Sequence, residues 1–312
     1  MKTCTIPAVY LFCILIFCNK VSAQENTDTA GLKTFSIAPV KDSLETGNIK
    51  SYFQVGASYI NDNVYLGRKD SVALPYFTPV LGYYAKSGFY TEASAGFLSS
   101  ASGSRLDLVS LAMGYSFTAG NYDGQFTASK FFYSSQSTSV KSEVKASLEY
   151  FSTYDLGFVR PMLLTTFNIG NKLDFAAAPG LDHSFTMMKE KLEITPTFIA
   201  NASTQNYYSD YYKKRRYNPK RQTKLPPNGI ESISGEVLNA SSFKVLDYEF
   251  SLPLKYSLGK CTVSFTPVYA IPVHPAEVVI TTKLNNGSTN TKTGFEKLGN
   301  SFFGTLEIIF KF

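Results

Sequence analysis

The chain has 312 residues, with 30 basic and 24 acidic side chains, 15% aromatic residues and no Trp. The formal excess of +6 is mild and not concentrated in one basic domain, which argues against nucleic acid as a partner. Beyond the N-terminus no apolar stretch approaches the roughly 20 residues that a membrane-spanning helix needs, so any membrane residence must use strands, which satisfy their backbone groups by pairing.

The first element is a targeting segment. Lys2 precedes an unbroken apolar run from Ala8 to Cys18, and Val21-Ser22-Ala23 supplies small residues for a signal peptidase. This reads as a cleaved signal over residues 1–23, cut between Ala23 and Gln24. Lipoprotein processing at Cys18 is disfavoured by the bulky Phe17 before it. Cleavage removes Cys4, Cys13 and Cys18 and leaves Cys261 alone, so no internal disulfide can form. It also removes Lys2 and Lys20, leaving 28 basic against 24 acidic residues and a net charge of +4. Residues 24–50 are polar, contain Pro39, and read as a loose leader to a single domain over 51–312.

From there the period-2 alternation of half-buried strands recurs. The clearest cases are Val140–Phe151 and Leu246–Tyr256. In the first, Val140, Val144, Ala146, Leu148 and Tyr150 oppose Lys141, Glu143, Lys145, Ser147 and Glu149. In the second, Leu246, Tyr248, Phe250, Leu252 and Leu254 oppose Asp247, Glu249, Ser251, Pro253 and Lys255. Weaker alternation marks ten more: 51–60, 76–86, 88–99, 107–118, 124–134, 157–168, 172–182, 191–201, 260–271 and 300–312. The facing of 124–134 stays open.

About twelve antiparallel strands in up-and-down order form the expected fold, an all-β closed transmembrane barrel. Eleven residues at about 3.3 Å each, tilted about 45°, rise roughly 26 Å, which matches a bilayer's apolar band. The connections sort by parity. Those after strands 2, 4, 6, 8 and 10 are short. Those after strands 1, 9 and 11 are long: Asn61–Pro75, Ala202–Ser242 and Pro272–Gly299. Membrane barrels keep short turns on one side and long loops on the other, whereas a soluble sandwich has no reason to do so. The missing Trp leaves Tyr and Phe to form the aromatic girdles.

The last strand carries a specific signal. Leu306, Ile308, Phe310 and the terminal Phe312 alternate with Glu307, Ile309 and Lys311. An amphipathic last strand ending in Phe resembles the assembly signal of bacterial outer-membrane β-barrel proteins. The resemblance implies insertion in the outer membrane of a Gram-negative cell with the help of barrel-insertion machinery. It also implies contact with outer-membrane lipid, a periplasmic leader and outward-facing long loops. No subfamily can be matched.

Three candidate sites follow. If the apolar faces meet lipid, the inward charges are Glu92, Lys141, Glu143, Lys145, Glu149, Arg160, Asp174, Glu193, Asp247, Glu249, Lys255, Glu307 and Lys311. These either pair across strands to fill a narrow lumen or line a porin-like passive pore for small solutes. The second candidate is the segment around Tyr211, Tyr212, Lys213, Lys214, Arg215 and Arg216 in the second long loop. Interleaved aromatics and cations suit anions such as lipopolysaccharide phosphates. The third is a lipid hydrolase using His183 or His274. Adjacent strand residues point to opposite faces, so Ser184 cannot serve His183 within a regular strand. No nucleophile or orienting partner can be named, and the reading is non-enzymatic. No metal or cofactor motif is present, and oligomeric state is not legible.

Overall fold

The computed structural model describes residues 50–70, 72–100, 103–216 and 230–312. The expected signal and residues 24–49 of the leader lie outside the described residues. Strands form where period-2 alternation was strongest: β1 (Tyr52–Ile60), β2 (Tyr76–Tyr84), β3 (Phe89–Ser100), β4 (Gly103–Ala119), β5 (Tyr122–Tyr133), β6 (Ala146–Tyr154), β7 (Arg160–Ile169) and β8 (Leu173–Asp182). Then come β9 (Phe185–Met187), β10 (Leu192–Ile194), β11 (Thr197–Ser203), helix α1 (Asn206–Arg216), β12 (Ile230–Val237), β13 (Lys244–Ser251) and β14 (Leu254–Leu258). The chain ends with β15 (Cys261–Pro272), β16 (Glu277–Leu284), β17 (Thr289–Phe295) and β18 (Ser301–Lys311).

Twelve antiparallel strands close a ring in the order β1, β2, β3, β4, β5, β6, β7, β8, β11, β13, β15, β18. The seam joins β1 to β18 from Gln54 opposite Lys311 to Ile60 opposite Thr305. Below Gln54, Phe53 and Phe312 exchange two backbone hydrogen bonds of 3.2 and 2.9 Å. Short strands β9, β10 and β14 continue β8, β11 and β13 toward the end that holds Lys50 and Phe312, here the terminal end. The breaks have one cause. Pro196 and Pro253 have no N–H to donate. Their carbonyls instead accept from the His183 and Thr195 amides at 3.4 and 3.0 Å.

Side chains alternate as expected over most of the wall. Large apolar residues such as Phe53, Leu81, Leu111, Phe132, Phe302 and Phe310 stay exposed on the outside. On β5, Phe126, Ala128 and Phe132 face out and Gln125, Thr127 and Ser129 face in, which settles the strand left open above. Aromatic pairs band the exterior near the termini, Phe53–Tyr83 at 4.9 Å, Phe89–Tyr115 at 4.8 Å and Phe126–Tyr150 at 4.5 Å. A second band includes Phe167–Phe175 at 5.1 Å near the long loops. Tyr and Phe thus fill the interfacial positions that Trp often takes. Among the described residues no helix is long and apolar enough to cross a membrane.

An exterior facing lipid should reject charge. Leu111→Arg near mid-height is expected to lower barrel stability by about 2–4 kcal/mol in urea titrations of lipid-embedded protein. Thr166→Arg, facing inward, should cost far less.

Two expectations are corrected. Val140–Glu143 is a 3-10 turn, with the Ser139 hydroxyl oxygen accepting from the Lys141 amide at 3.3 Å, and the strand starts only at Ala146. Val140 and Val144 fit an alternating pattern, yet they are buried in the loop cluster, not facing lipid. Leu246 is likewise fully buried there. A bulge opposite Asn201 and Ala202 inserts one extra residue and turns its side chain inward.

Candidate functional site: a one-ended lumen closed by the long loops

The wall side chains do not fill the barrel. Below the loops lies a cavity of about 1410 Å³ lined by Ser, Thr and charged side chains interspersed with Ala, Tyr, Phe and other apolar residues. It reaches the terminal rim at Lys50, Lys86, Gly120 and Lys260 and ends at Tyr65, Leu66, Lys141 and Phe303. Of the inward charges expected from sequence, Glu92, Lys141, Glu149, Arg160, Glu193, Glu249, Lys255, Glu307 and Lys311 line it. Arg160 grips Asp182 with two hydrogen bonds of 2.8 and 2.9 Å, and Lys255 lies 3.6 Å from Glu193.

Four of the expected lumen charges sit elsewhere. Glu143 belongs to the 3-10 turn, and Lys145 is exposed at the loop rim, donating to Asn171 Oδ1 at 2.8 Å. Asp174 is buried and caps α1: its carboxylate accepts from the Asn206 and Tyr207 amides, both at 2.7 Å, and from the Thr204 hydroxyl at 2.6 Å. This places an anion at the helix N-terminus, where unpaired amides and the helix dipole favour it. Asp247 lies fully buried beneath the tip of the first long loop.

All three long loops fold over the lumen. Asn63 to Arg68 of the first are buried. Tyr207, Tyr208, Tyr211 and Tyr212 form one buried face of α1, because residues one turn apart share a helix face. The second and third loops also supply β12, β16 and β17, a separate three-stranded sheet. The surface-binding reading of Tyr211 and Tyr212 is therefore corrected: helical periodicity carries them into the closure. Lys213 is exposed and pairs with Glu236 at 3.2 Å. The side chains of Lys214, Arg215 and Arg216 lie outside the described residues.

The closure meets at Arg68, whose side chain is 0% exposed. Its guanidinium donates to the Leu66 carbonyl at 3.2 Å within its own loop and to the His274 carbonyl at 3.0 Å in the third loop. It faces the Tyr208 ring of α1 at 5.5 Å, and its Nε makes an ionic contact with Glu296 at 3.4 Å. Glu296 in turn accepts from the Tyr208 hydroxyl at 2.7 Å and the Ala276 amide at 3.0 Å. One cation thus joins all three loops. Beside it Gly67 has φ +68, and a Cβ there would stand 2.8 Å from the Cβ atoms of Asp247 and Pro272. Only glycine fits this left-handed, close-packed position.

Below Arg68, Tyr65 meets Tyr207 edge-on at 5.1 Å and accepts from Asn168 Nδ2 at 2.8 Å. Lys141 Nζ sits 5.0 Å from both the Tyr65 and Phe131 rings. Burial pushes the Lys141 ammonium below the ordinary lysine range, opposed by the charge of Glu149.

No protein-family model and no curated protein matches this chain. Its solved-structure neighbours are outer-membrane barrels. LpxR from Salmonella typhimurium is 11% identical over 83% of this chain and 100% of that one, with a TM-score of 0.42. The translocator domain of the autotransporter NalP from Neisseria meningitidis is 11% identical over 88% and 92%, at 0.32. OmpF of Salmonella typhi is 6% identical over 84% and 97%, at 0.31. None reaches 0.5, and none bears on function.

The histidines stand at opposite ends of the barrel. His183 packs edge-on against Phe185 at 4.5 Å, while Ser184 pairs with Thr195 at 3.0 Å. His274 contacts the Val245 carbonyl through Nδ1 at 2.7 Å. Neither hydrogen-bonds to a hydroxyl or a carboxylate among the described residues. Leu306, Ile308 and Phe310 are exposed on the outer face, while Phe312 is exposed at the rim and also lines the cavity mouth.

Sequence reasoning missed Arg68, Gly67 and Glu296. The one local signal was the apolar run Val64-Tyr65-Leu66 in the first long loop.

The first loop also contains a titrating group. Burial raises the Asp62 carboxyl from 3.8 to about 6, opposed by Lys69 and the amides of Leu74 and Asn63. A raised carboxyl stabilises the docked loop below its ordinary pKa and loses that contribution as pH climbs to about 6 and beyond. Hydrogen exchange over residues 61–75, corrected for intrinsic rates, should show protection falling from pH 4 to pH 7. In Asp62→Asn this dependence should vanish.

Proposed function

We propose that the protein is an outer-membrane barrel forming a porin-like path for small solutes, shut at rest at its outer end by the three long loops. The observation that carries this reading is the division of the lumen. A purely structural barrel fills its interior with wall side chains, but here the wall leaves an open chamber and only the loops close it. The exposed apolar exterior with its two aromatic bands supports membrane residence. The outward row of Leu306, Ile308 and Phe310, followed by Phe312 at the rim, supports assembly by the barrel-insertion machinery.

The second reading is a closed surface barrel that transports nothing. It is favoured by the depth of the Arg68 closure. Planar-bilayer recording separates the two. Gating predicts a quiet wild type and steady current once the closure is loosened. No current from either protein would leave the structural reading standing.

A further inference from the structure

Net charge does not select what the chamber holds, because its lining carries seven acidic and seven basic side chains. The polarity of its wall is uneven instead. Strand β7 reads Met162-Leu163-Leu164, apolar on both faces. Leu163 is exposed on the outside, while Met162 and Leu164 line the chamber. Their ladder neighbours continue the surface. Leu164 stands opposite Phe151 of β6 and Ala178 of β8. Met162 stands opposite Gly180 of β8, which on its other side pairs with Ile199 of β11. Phe151, Ala178 and Ile199 also line the chamber. Gly180 lets the patch close up. A Cβ there would lie 3.0 Å from both Met162 Cγ and Ile199 Cγ1, so these two side chains lean over the glycine from either side. The result is one apolar surface across four neighbouring strands, about 14 Å wide at about 4.8 Å per strand.

The opposite wall has another character. There β18, β1 and β3 present Thr305, Glu307, Gln54, Ser58 and Glu92, with Ile309 as the exception. The charges nearest the patch, Arg160 and Asp182, hold each other. Leu164 and Ile199 are half-buried, so part of the patch stays open to the chamber. In a lumen carrying only water and ions, such a surface stays unfavourably hydrated, and covering it with another apolar group is favourable. Small-molecule sites share this composition: a concave apolar surface faced by a few polar groups that fix orientation.

The geometry points to a binding site for a neutral amphiphile, a medium-length hydrocarbon chain bearing a hydroxyl group, with the chain laid on Phe151, Met162, Leu164, Ala178 and Ile199. The hydroxyl is left to the Ser, Thr and Gln side chains of the opposite wall, which both donate and accept. The width of the patch sets the chain length, and its lack of charge within a balanced lining sets the neutrality. The inference rests on the reading of the chamber as open to solutes at its terminal end, and it adds the class of solute.

Thiol protection tests it. Ala178→Cys with Cys261→Ser puts a single thiol in the patch of protein held in lipid nanodiscs, and a membrane-impermeant maleimide reads its accessibility. 1-Octanol should slow labelling several-fold, and sorbitol at equal concentration should not. Adding Leu164→Thr and Ile199→Thr should abolish the protection, because threonine suits a strand but removes apolar surface. With Ser58→Cys on the opposite wall in place of Ala178→Cys, octanol should protect less, which separates seating on the patch from a general effect on the bilayer. Equal protection by sorbitol and octanol, equal protection of the two thiols, or protection unchanged by the threonine pair would overturn the inference. A thiol at 178 that never labels would overturn it too, since the patch would then be out of reach. Current through Arg68→Ala tests the path separately. Selective protection without current would refute only the path, and current without selective protection would refute only the site. Heat-modifiable gel mobility confirms that each variant is folded.

Discussion

Replacing Arg68 by Ala should convert a silent barrel into a conducting one. The substitution removes two hydrogen bonds to carbonyls of different loops, the ring contact with Tyr208 and the partner of Glu296. Removing one partner of a buried ion pair costs about 3–5 kcal/mol, because the remaining charge stays desolvated. The loss falls on loop docking and leaves the wall intact, since no strand of the ring uses Arg68 in its ladder. Steady current in planar bilayers is therefore expected from Arg68→Ala with an unchanged strand signal in circular dichroism. Glu296→Gln in the same chain should restore part of the closure, because it removes the stranded charge. A double-mutant cycle then measures the coupling. Closure equal to wild type in Arg68→Ala would show that the apolar cluster holds the loops without the cation.

Asp174→Ala should release α1 from the wall. Asp174 sits on β8 and its carboxylate accepts three hydrogen bonds from the start of the second loop. An N-cap contributes about 0.5–2 kcal/mol, and hydrogen bonds to a charged acceptor about 1.5–3 kcal/mol. A loss of about 2–4 kcal/mol in helix docking is expected, seen as rapid trypsin cleavage at Lys213 in folded, lipid-embedded protein. Asp174→Asn keeps an acceptor for the helix amides and should lie between wild type and Ala. Cleavage at the wild-type rate in Asp174→Ala would show that the tyrosine face alone fixes the helix.

The wall was legible from sequence because a barrel strand records its facing in every second residue. All twelve ring strands were found, and loop parity grouped the three long loops at one end. Errors arose where period 2 was present for another reason. Val140 and Val144 are four residues apart, which a turn buries as readily as a strand exposes. Leu246 shows how one bulged residue reverses a facing that alternation alone must get wrong. The closure was illegible for a different reason. Arg68, Tyr208 and Glu296 are distant in sequence and meet only once the ring brings the loop bases together. The tyrosine face could have been seen, since Tyr207, Tyr208, Tyr211 and Tyr212 recur at helical spacing. Their interleaving with Lys and Arg drew attention to surface binding instead.

Access to the chamber from each side tests the account most directly. Thr266→Cys with Cys261→Ser places a single thiol on the lumen wall, reached in proteoliposomes of known orientation by a membrane-impermeant maleimide. Rapid labelling is expected when the reagent is added on the side of the termini, with none from the loop side until Arg68 is also replaced. Equal labelling from both sides of the protein with Arg68 intact would contradict the closure and the gated path built on it.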